Sequence, residues 1–499
     1  MADLETKNSA VATEESGERK VKMRSLALDL VPMGSDEENR MADLKVTKTL
    51  PEGIESKMLY SDIIHIAWPS LVELTLTQLA SMVDLMMVGQ LGPWALTAVG
   101  LTTQPKFLLM TMFMAMNVGA TAMVARYKGA GNQKKADEVL RQALLMTFVL
   151  GCVFAVIGFI AAPWLIKFMG ASEDHVLQGG VDYLRIQMIG LPGLALTSTI
   201  TATLRGVGNS KTAMIYNAMA NIINVFFNYM LIYGNFGAPR MEVAGASLAT
   251  IIGQYCAMFM AFYAVMNGQQ YIILRFRDGF KPNKEEIKKI VDIGAPAMVE
   301  QVVMRIGLII YTRTVAGLGT LPYAVHQVCL NIQSLSFMNG QAFAVSATSL
   351  TGQSLGKKRH DMAQAYTTRT RKLGMCVSIF LGVVFFFFGG QIVALYSGGD
   401  QSLVELGAVI MMFVAVVQPF QSSQLILAGA LRGAGDTKVT AAITFITVLL
   451  VRPALAIFAI NVLGMGLEGA WYALVADQIL RSLLVLLRYN SGAWKRHTM

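Results

Sequence analysis

Asp84 lies in the stretch QLASMVDLMMVGQLG, near the far end of the first of twelve apolar runs, between Val83 and Leu85. A carboxylate at the middle of a membrane helix costs roughly 2.5–3.5 kcal/mol on insertion scales, so a chain that keeps one has a use for it. The chemistry open to it is reversible uptake of a proton or of Na⁺. The other reading is a structural carboxylate paired with a neighbouring helix. The fifth run carries Asn221, Asn224 and Asn228, the last two spaced to share one helix face. Their amide oxygens, together with Asp84, would form an all-oxygen pocket for a hard cation such as Na⁺, or a proton relay. Thr250 in the sixth run adds a hydroxyl. Asn and Thr also make ordinary interhelical hydrogen bonds in membranes, so this set alone leaves both readings open.

Glu73 and Glu300 each stand four residues after a proline, Pro69 and Pro296. Duplication favours a scaffold role, such as satisfying backbone groups that the proline frees, with a second coupling site at Glu300 as the alternative. Lys106, Arg305, Arg313 and Arg452 also fall inside apolar runs, where such side chains snorkel or pair with carboxylates. The stretch MTMFMAM (110–116) reads as packing or lipid-facing surface in preference to an adaptable cavity lining. Cys152, Cys256, Cys329 and Cys376 are scattered singly and read as small buried or lipid-facing residues. GVGNSKT (206–212) lacks the GK[ST] ending of a phosphate loop and reads as a helix-terminating turn. With no metal-ligand cluster, nucleophile triad or nucleotide motif, the expectation is a protein that is not an enzyme and needs no cofactor.

The elements that must position these residues follow from composition. Hydrophobic residues make up 54% of the 499 and charged residues 15%, against about 25% charged in soluble proteins. The apolar runs are each long enough for a ~30 Å hydrocarbon core. They predict twelve transmembrane helices near 61–88, 96–125, 139–169, 178–204, 211–234, 243–267, 288–317, 322–353, 366–396, 404–431, 438–462 and 467–488. The fold class is an all-α polytopic membrane protein. Basic residues crowd alternate loops, including Lys134 and Lys135, Arg205 and Lys211, Lys357 to Arg359, and Arg432 and Lys438. By the positive-inside rule both termini are cytoplasmic. That placement also removes the nucleic-acid reading that a net charge of +9 would otherwise invite. Residues 1–56 are polar, without a cleavable signal, and read as a disordered or weakly structured tail.

A repeat sets the architecture. Pro69 and Glu73 recur as Pro296 and Glu300, an offset of 227 (300 minus 73). The same offset joins Leu91-Gly92 to Leu318-Gly319, Gly129 to Gly356, Pro192 to Pro419, and LRGVGNSK (204–211) to LRGAGDTK (431–438). Six spans per copy give two pseudo-symmetric six-helix bundles in one orientation. The expected boundaries are an N-lobe at 57–267, a cytoplasmic linker at 268–290 suited to an amphipathic helix, a C-lobe at 291–489 and a cytoplasmic tail at 490–499. At the fixed offset Asp84 faces Tyr311, while Asn224 and Asn228 face Val451 and Leu455. The polar set therefore belongs to the first half alone.

VDLMMVGQLG (83–92), ALTAVGL (95–101), VGATAMVARYKGAGN (118–132), ATIIGQ (249–254) and ALRGAGDTK (430–438) together resemble the multidrug and toxic compound extrusion (MATE) transporters across about 60–488. The resemblance implies two bundles around a central cavity with alternating access, exporting organic, often cationic, compounds in exchange for H⁺ or Na⁺. It matches Asp84 to the family's first-span aspartate, Asn224 and Asn228 to its fifth-span polar pair, and Thr250 to its sixth-span threonine. Ser422 stands where some members carry a C-lobe aspartate, which moves the expected coupling site to the N-lobe. The implied setting is a multi-pass protein of the plasma (inner) membrane with small organic substrates and no obligate protein partner. A lipid-linked oligosaccharide or polysaccharide flippase of related fold is the alternative, and a channel a more distant one.

Overall fold

The computed structural model describes residues 26–35, 50–51, 53–170, 173–396 and 400–496. Twelve long helices dominate them, with no strand among the described residues. The first six are α1 (Ser56–Gly89), α2 (Pro93–Gly129), α3 (Gln133–Phe168), α4 (Asp174–Gly206), α5 (Ser210–Tyr233) and α6 (Glu242–Met266). The second six are α7 (Lys284–Ala316), α8 (Thr320–Gly356), α9 (His360–Ala394), α10 (Gln401–Gly433), α11 (Thr437–Asn461) and α12 (Gly466–Asn490). Ten are long and apolar enough to cross a bilayer by length and composition alone. The other two, α4 and α8, have the length but carry more polar side chains, and they bury them: Thr197, Thr199 and Thr203 on α4, Gln333, Ser336 and Asn339 on α8. A helix surrounded by protein instead of lipid tolerates hydroxyls and amides that find interhelical partners. Thr199 on α4, for example, bonds Asn117 on α2 (2.8 Å) and Thr147 on α3 (2.9 Å).

Helices α1–α6 pack as one lobe and α7–α12 as the other. The repeat is visible in the turns. Gly92 before α2 and Gly319 before α8 have φ of 116° and 112°, a region open to glycine and strained for other residues. The lobes meet through α1, α2, α7 and α8 at the ends that carry the basic loops. Ser346 on α8 donates to the Ile63 carbonyl (2.8 Å), and Ser349 and Gln353 both donate to the Gly206 carbonyl (2.9 and 3.0 Å). The seam is tight at two repeat-related glycines. A Cβ at Gly129 would stand 1.9 Å from the Gln353 carbonyl oxygen, and one at Gly356 would stand 1.9 Å from that of Arg126.

Three expectations change. The 268–290 linker is not an amphipathic helix. It runs as irregular chain with one 3₁₀ turn, Phe276–Asp278, before α7 begins at Lys284. Ile272, Ile273 and Leu274 are buried in succession, and Gly279 at φ 70° bars a continuous helix. Side chains of α3 strap it down: Asp137 accepts from the Ile273 N–H (2.8 Å) and Gln142 donates to the Lys281 carbonyl (2.9 Å). The tail is packed where it is described. Leu26, Ala27, Leu28 and Val31 are buried around a short 3₁₀ turn, Ala27–Leu30, and join a core cluster shared by α1 and the second lobe. The remaining tail residues lie largely outside the described ones.

The third change concerns α11. Phe445–Val451 forms π-helical turns just before Pro453. Proline has no N–H to give and its ring crowds the preceding turn, a standard cause of such a bulge. Its N-lobe equivalent α5 has no proline and runs unbroken. The bulge advances the register by one residue, so Arg452 and Ala456 are buried where the fixed offset points to Val451 and Leu455.

Candidate functional site

Helices α1 and α5 run side by side in the same direction, joined by a polar ladder of constant spacing. Asn217 donates to Glu73 (2.6 Å), Asn221 to Thr77 (3.2 Å) and Asn228 to Asp84. Glu73 and Asp84 are eleven residues apart on α1, about 16 Å at ~1.5 Å per residue. The ladder thus links an ion-paired carboxylate near the basic end to an unpaired one toward the opposite end.

Asp84 forms part of the wall of a cavity of about 330 Å³ inside the N-lobe, with Thr77, Lys106, Phe107, Asn221, Asn224 and Thr250 among its lining. Two amides reach the carboxylate. Asn228, fully buried, donates to Oδ1. Asn224, in the amide orientation that satisfies both its ends, donates to Oδ1 at 2.9 Å and Oδ2 at 3.2 Å. Asn224 and Thr250 lie within 3.4 Å of each other. The structure therefore brings together all four residues singled out in the first half. It also shows that the amides present N–H groups to the carboxylate, so an oxygen cage for Na⁺ would require them to turn. One acceptor is ready: the buried Oδ1 of Asn228 has no hydrogen-bond partner among the described residues. Lys106 faces Asp84 in the same cavity without an ion-pair contact. Small residues on α6 make the space. A Cβ at Gly253 would stand 3.1 Å from the Asn224 Cβ, and Gly253 and Ala257 both line the cavity.

The C-lobe fills the equivalent space. Helices α6 and α12 align through Gly245-Ala246 and Gly469-Ala470, an offset of 224 (469 minus 245). Gly253 and Ala257 then correspond to Asp477 and Arg481. Asp477, fully buried, accepts from Arg452 Nε (3.0 Å) and from Arg481 (3.1 Å). The Arg452 guanidinium also stands over the Tyr311 ring, 5.6 Å from its centroid. A closed arginine–carboxylate cluster occupies what is a cavity in the other lobe. Sequence reading missed Asp477. The signal available was the GA alignment, which the fixed offset of 227 obscures.

Glu73 and Glu300 do not serve backbone groups freed by their prolines. Glu73 pairs with Arg205 at 2.8 Å and Glu300 with Arg432 at 2.7 Å. Those arginines belong to the repeated LRG strings, so both ends of each pair keep the 227 offset. Thr440 (3.3 Å) and Thr444 (3.4 Å) complete the Glu300 site. Each pair ties the first helix of its lobe to the fourth. Breaking a buried pair from one side costs about 3–5 kcal/mol. Glu73→Ala is expected to lower thermal stability in detergent by that order, and adding Arg205→Met should restore most of it. A double variant no better than the single would show that the two side chains do not act as a unit.

Two parallel six-helix repeats of span-length apolar helices around a polar cavity define the class as an integral membrane protein, and the family match makes it a transporter. The MatE family model matches residues 69–230 and again 296–458, one match per repeat, and the chain belongs to that family of multidrug and toxic compound extrusion transporters. A probable multidrug resistance protein NorM of Thermotoga maritima is 27% identical over 439 residues, covering 88% of this chain and 94% of that one. An uncharacterized transporter, YisQ of Bacillus subtilis, is 26% identical over 434 residues, covering 87% and 94%. Among solved structures, an outward-facing multidrug resistance MATE transporter of the MOP superfamily superposes with a TM-score of 0.81 at 21% identity, covering 87% of this chain and 96% of that one. A MOP superfamily transporter from Pyrococcus furiosus, described as having a binding pocket of reversed polarity, gives the same score, identity and coverage. These likenesses establish the shared fold.

Proposed function

We propose that this protein is a secondary antiporter of the plasma membrane that exports small organic compounds, cationic ones among them, in exchange for H⁺ or Na⁺. Its basic loops and termini face the cytoplasm. The observation that carries the reading is a carboxylate, Asp84, held by Asn224 and Asn228 in the wall of a cavity large enough for a small molecule. Asp84, Asn224, Asn228 and Thr250 form the coupling site. With Asp84 ionised, its charge and that of Lys106 cancel within the cavity. Loading Asp84 with a cation leaves a net positive cavity, which repels a cationic substrate and favours its release. The cation and the substrate thus exclude one another, the requirement for exchange. The closed Arg452–Asp477–Arg481 cluster supports placing coupling in the N-lobe, and the Glu73 and Glu300 pairs support a scaffold role for both.

The test is purified protein in liposomes loaded with a fluorescent organic cation, with a pH gradient and a Na⁺ gradient imposed separately. One gradient is expected to drive dye movement at least tenfold above protein-free vesicles. Dye movement indifferent to both gradients would overturn the antiport reading.

A further inference from the structure

At the basic end, described tail residues lie across both lobes. The Ala27 N–H donates to Asp62 Oδ2 on α1 (2.8 Å). The same carboxylate oxygen accepts from the Tyr366 hydroxyl on α9 (2.8 Å), so one buried group of the N-lobe holds the tail and the C-lobe together. The Lys357 ammonium, in the turn after α8, donates to the Leu28 carbonyl (2.7 Å), and the Gly34 N–H donates to the Lys357 carbonyl (3.1 Å). Leu26, Leu28 and Val31 are 3%, 2% and 4% exposed, as deeply buried as the helices they touch. Leu28, Asp29 and Met33 also face the α2 end at Lys128 to Gly131 across a pocket that Gln353 and Lys357 share. That pocket adjoins the seam where Gly129 meets Gln353. The Asp29 side chain accepts from the Leu26 N–H (2.8 Å), so the turn is pre-shaped by its own sequence.

We infer that residues 26–35 are a built-in latch that clamps the basic ends of the two lobes together. The physical reason is differential contact. The buried apolar side chains and the shared Asp62 acceptor need α1, α8 and α9 in their present arrangement, so separating the lobes exposes the tail's apolar face and breaks bonds on one side. A segment that binds one arrangement and not another shifts the population toward the one it binds. The inference rests on the antiport reading only for its effect on transport; the clamp itself is read from a distance.

The experiment places spin labels at Lys134 and Thr368, exposed positions near the basic ends of α3 and α9, in a background without the four native cysteines. Leu28→Asp puts a charge into the tail's buried face, while deletion of residues 2–35 removes the latch entirely. Both are expected to raise the population with separated basic ends at least tenfold over the unaltered tail. A synthetic peptide of residues 24–36 added to the deletion variant should reverse the change. Ala27→Pro, which removes the N–H that donates to Asp62 and adds a small ring at a buried position, should give a shift in the same direction. Identical distance distributions in the intact, Leu28→Asp and deleted proteins would overturn the latch and leave the antiport reading standing. Loss of gradient-driven transport in the intact protein would overturn the antiport reading and leave the clamp standing.

Discussion

Asp84→Asn is expected to abolish gradient-driven export while the protein still folds and inserts. The substitution keeps the size and planarity of the side chain, so the cavity wall is preserved. What it removes is the negative charge that Asn228 and Asn224 are aimed at. An amide in that position cannot take up a proton in the accessible range and gives a cation no counter-charge. A driving ion shifts a conformational equilibrium only by its differential affinity for the states, and a site with no affinity transmits nothing. A loss of 100-fold or more in the initial rate of gradient-driven dye movement is the expected reading, since each tenfold corresponds to about 1.4 kcal/mol. Exchange of a cationic dye at zero gradient should fall as well, because Lys106 without the Asp84 charge leaves the cavity net positive, as in the cation-loaded state. Gradient-driven transport at the unaltered rate would remove Asp84 from the coupling site. Size-exclusion profiles and thermal stability separate this loss from misfolding.

Gly129→Ala is expected to cut transport from a position far from the cavity. The added Cβ would stand 1.9 Å from the Gln353 carbonyl oxygen, and the carbonyl carbon and Cα of Gln353 are within 2.7 and 2.9 Å of it. The obstruction is backbone and cannot rotate away. A carbon–oxygen contact settles near 3.3–3.6 Å at the closest, so the two helix ends must separate locally by roughly 1.5 Å. Gly129 lies between lobes, and the strain falls on the seam more than on the packing within either lobe. The expected results are a tenfold or greater fall in transport, little change in thermal stability, and longer distances between labels at Lys134 and Thr368. Gly356→Ala should reproduce them, because its Cβ meets the Arg126 carbonyl by the same geometry. Normal transport by either variant would show that closure at this seam is dispensable.

Much of this site was legible in the sequence because a bilayer makes polar residues expensive. Asp84, Asn224, Asn228 and Thr250 stood out by type alone among apolar neighbours, and the structure gathers them at one cavity. Lys106 stood out in the same way, but its partner could not be read, since the facing residue lies on another helix. The Glu73–Arg205 and Glu300–Arg432 pairs were hidden for a related reason. Both members of each pair were visible as repeated residues, and only packing brings the first and fourth helices of a lobe together. The amphipathic helix expected in the linker failed because a few basic and apolar residues suggested a surface helix, while Gly279 at positive φ interrupts it and Ile272, Ile273 and Leu274 are buried in succession.

The sequence by itself determined the number of long helices, their duplication, the basic ends and the in-span carboxylates Glu73, Asp84 and Glu300. Each follows from local or periodic signals: apolar length, a fixed offset, loop charge and the cost of burying charge in lipid. Tertiary structure alone decided the register of α11, where π turns before Pro453 turn Arg452 inward in place of Val451. It decided that Asp477 and Arg481 fill the C-lobe where Gly253 and Ala257 leave a cavity in the N-lobe. It decided that Leu26 to Val31, an apolar island in a polar tail, lies against both lobes. These outcomes depend on which surfaces meet across long separations in the chain, and a one-residue slip or a buried island changes them without altering any local pattern.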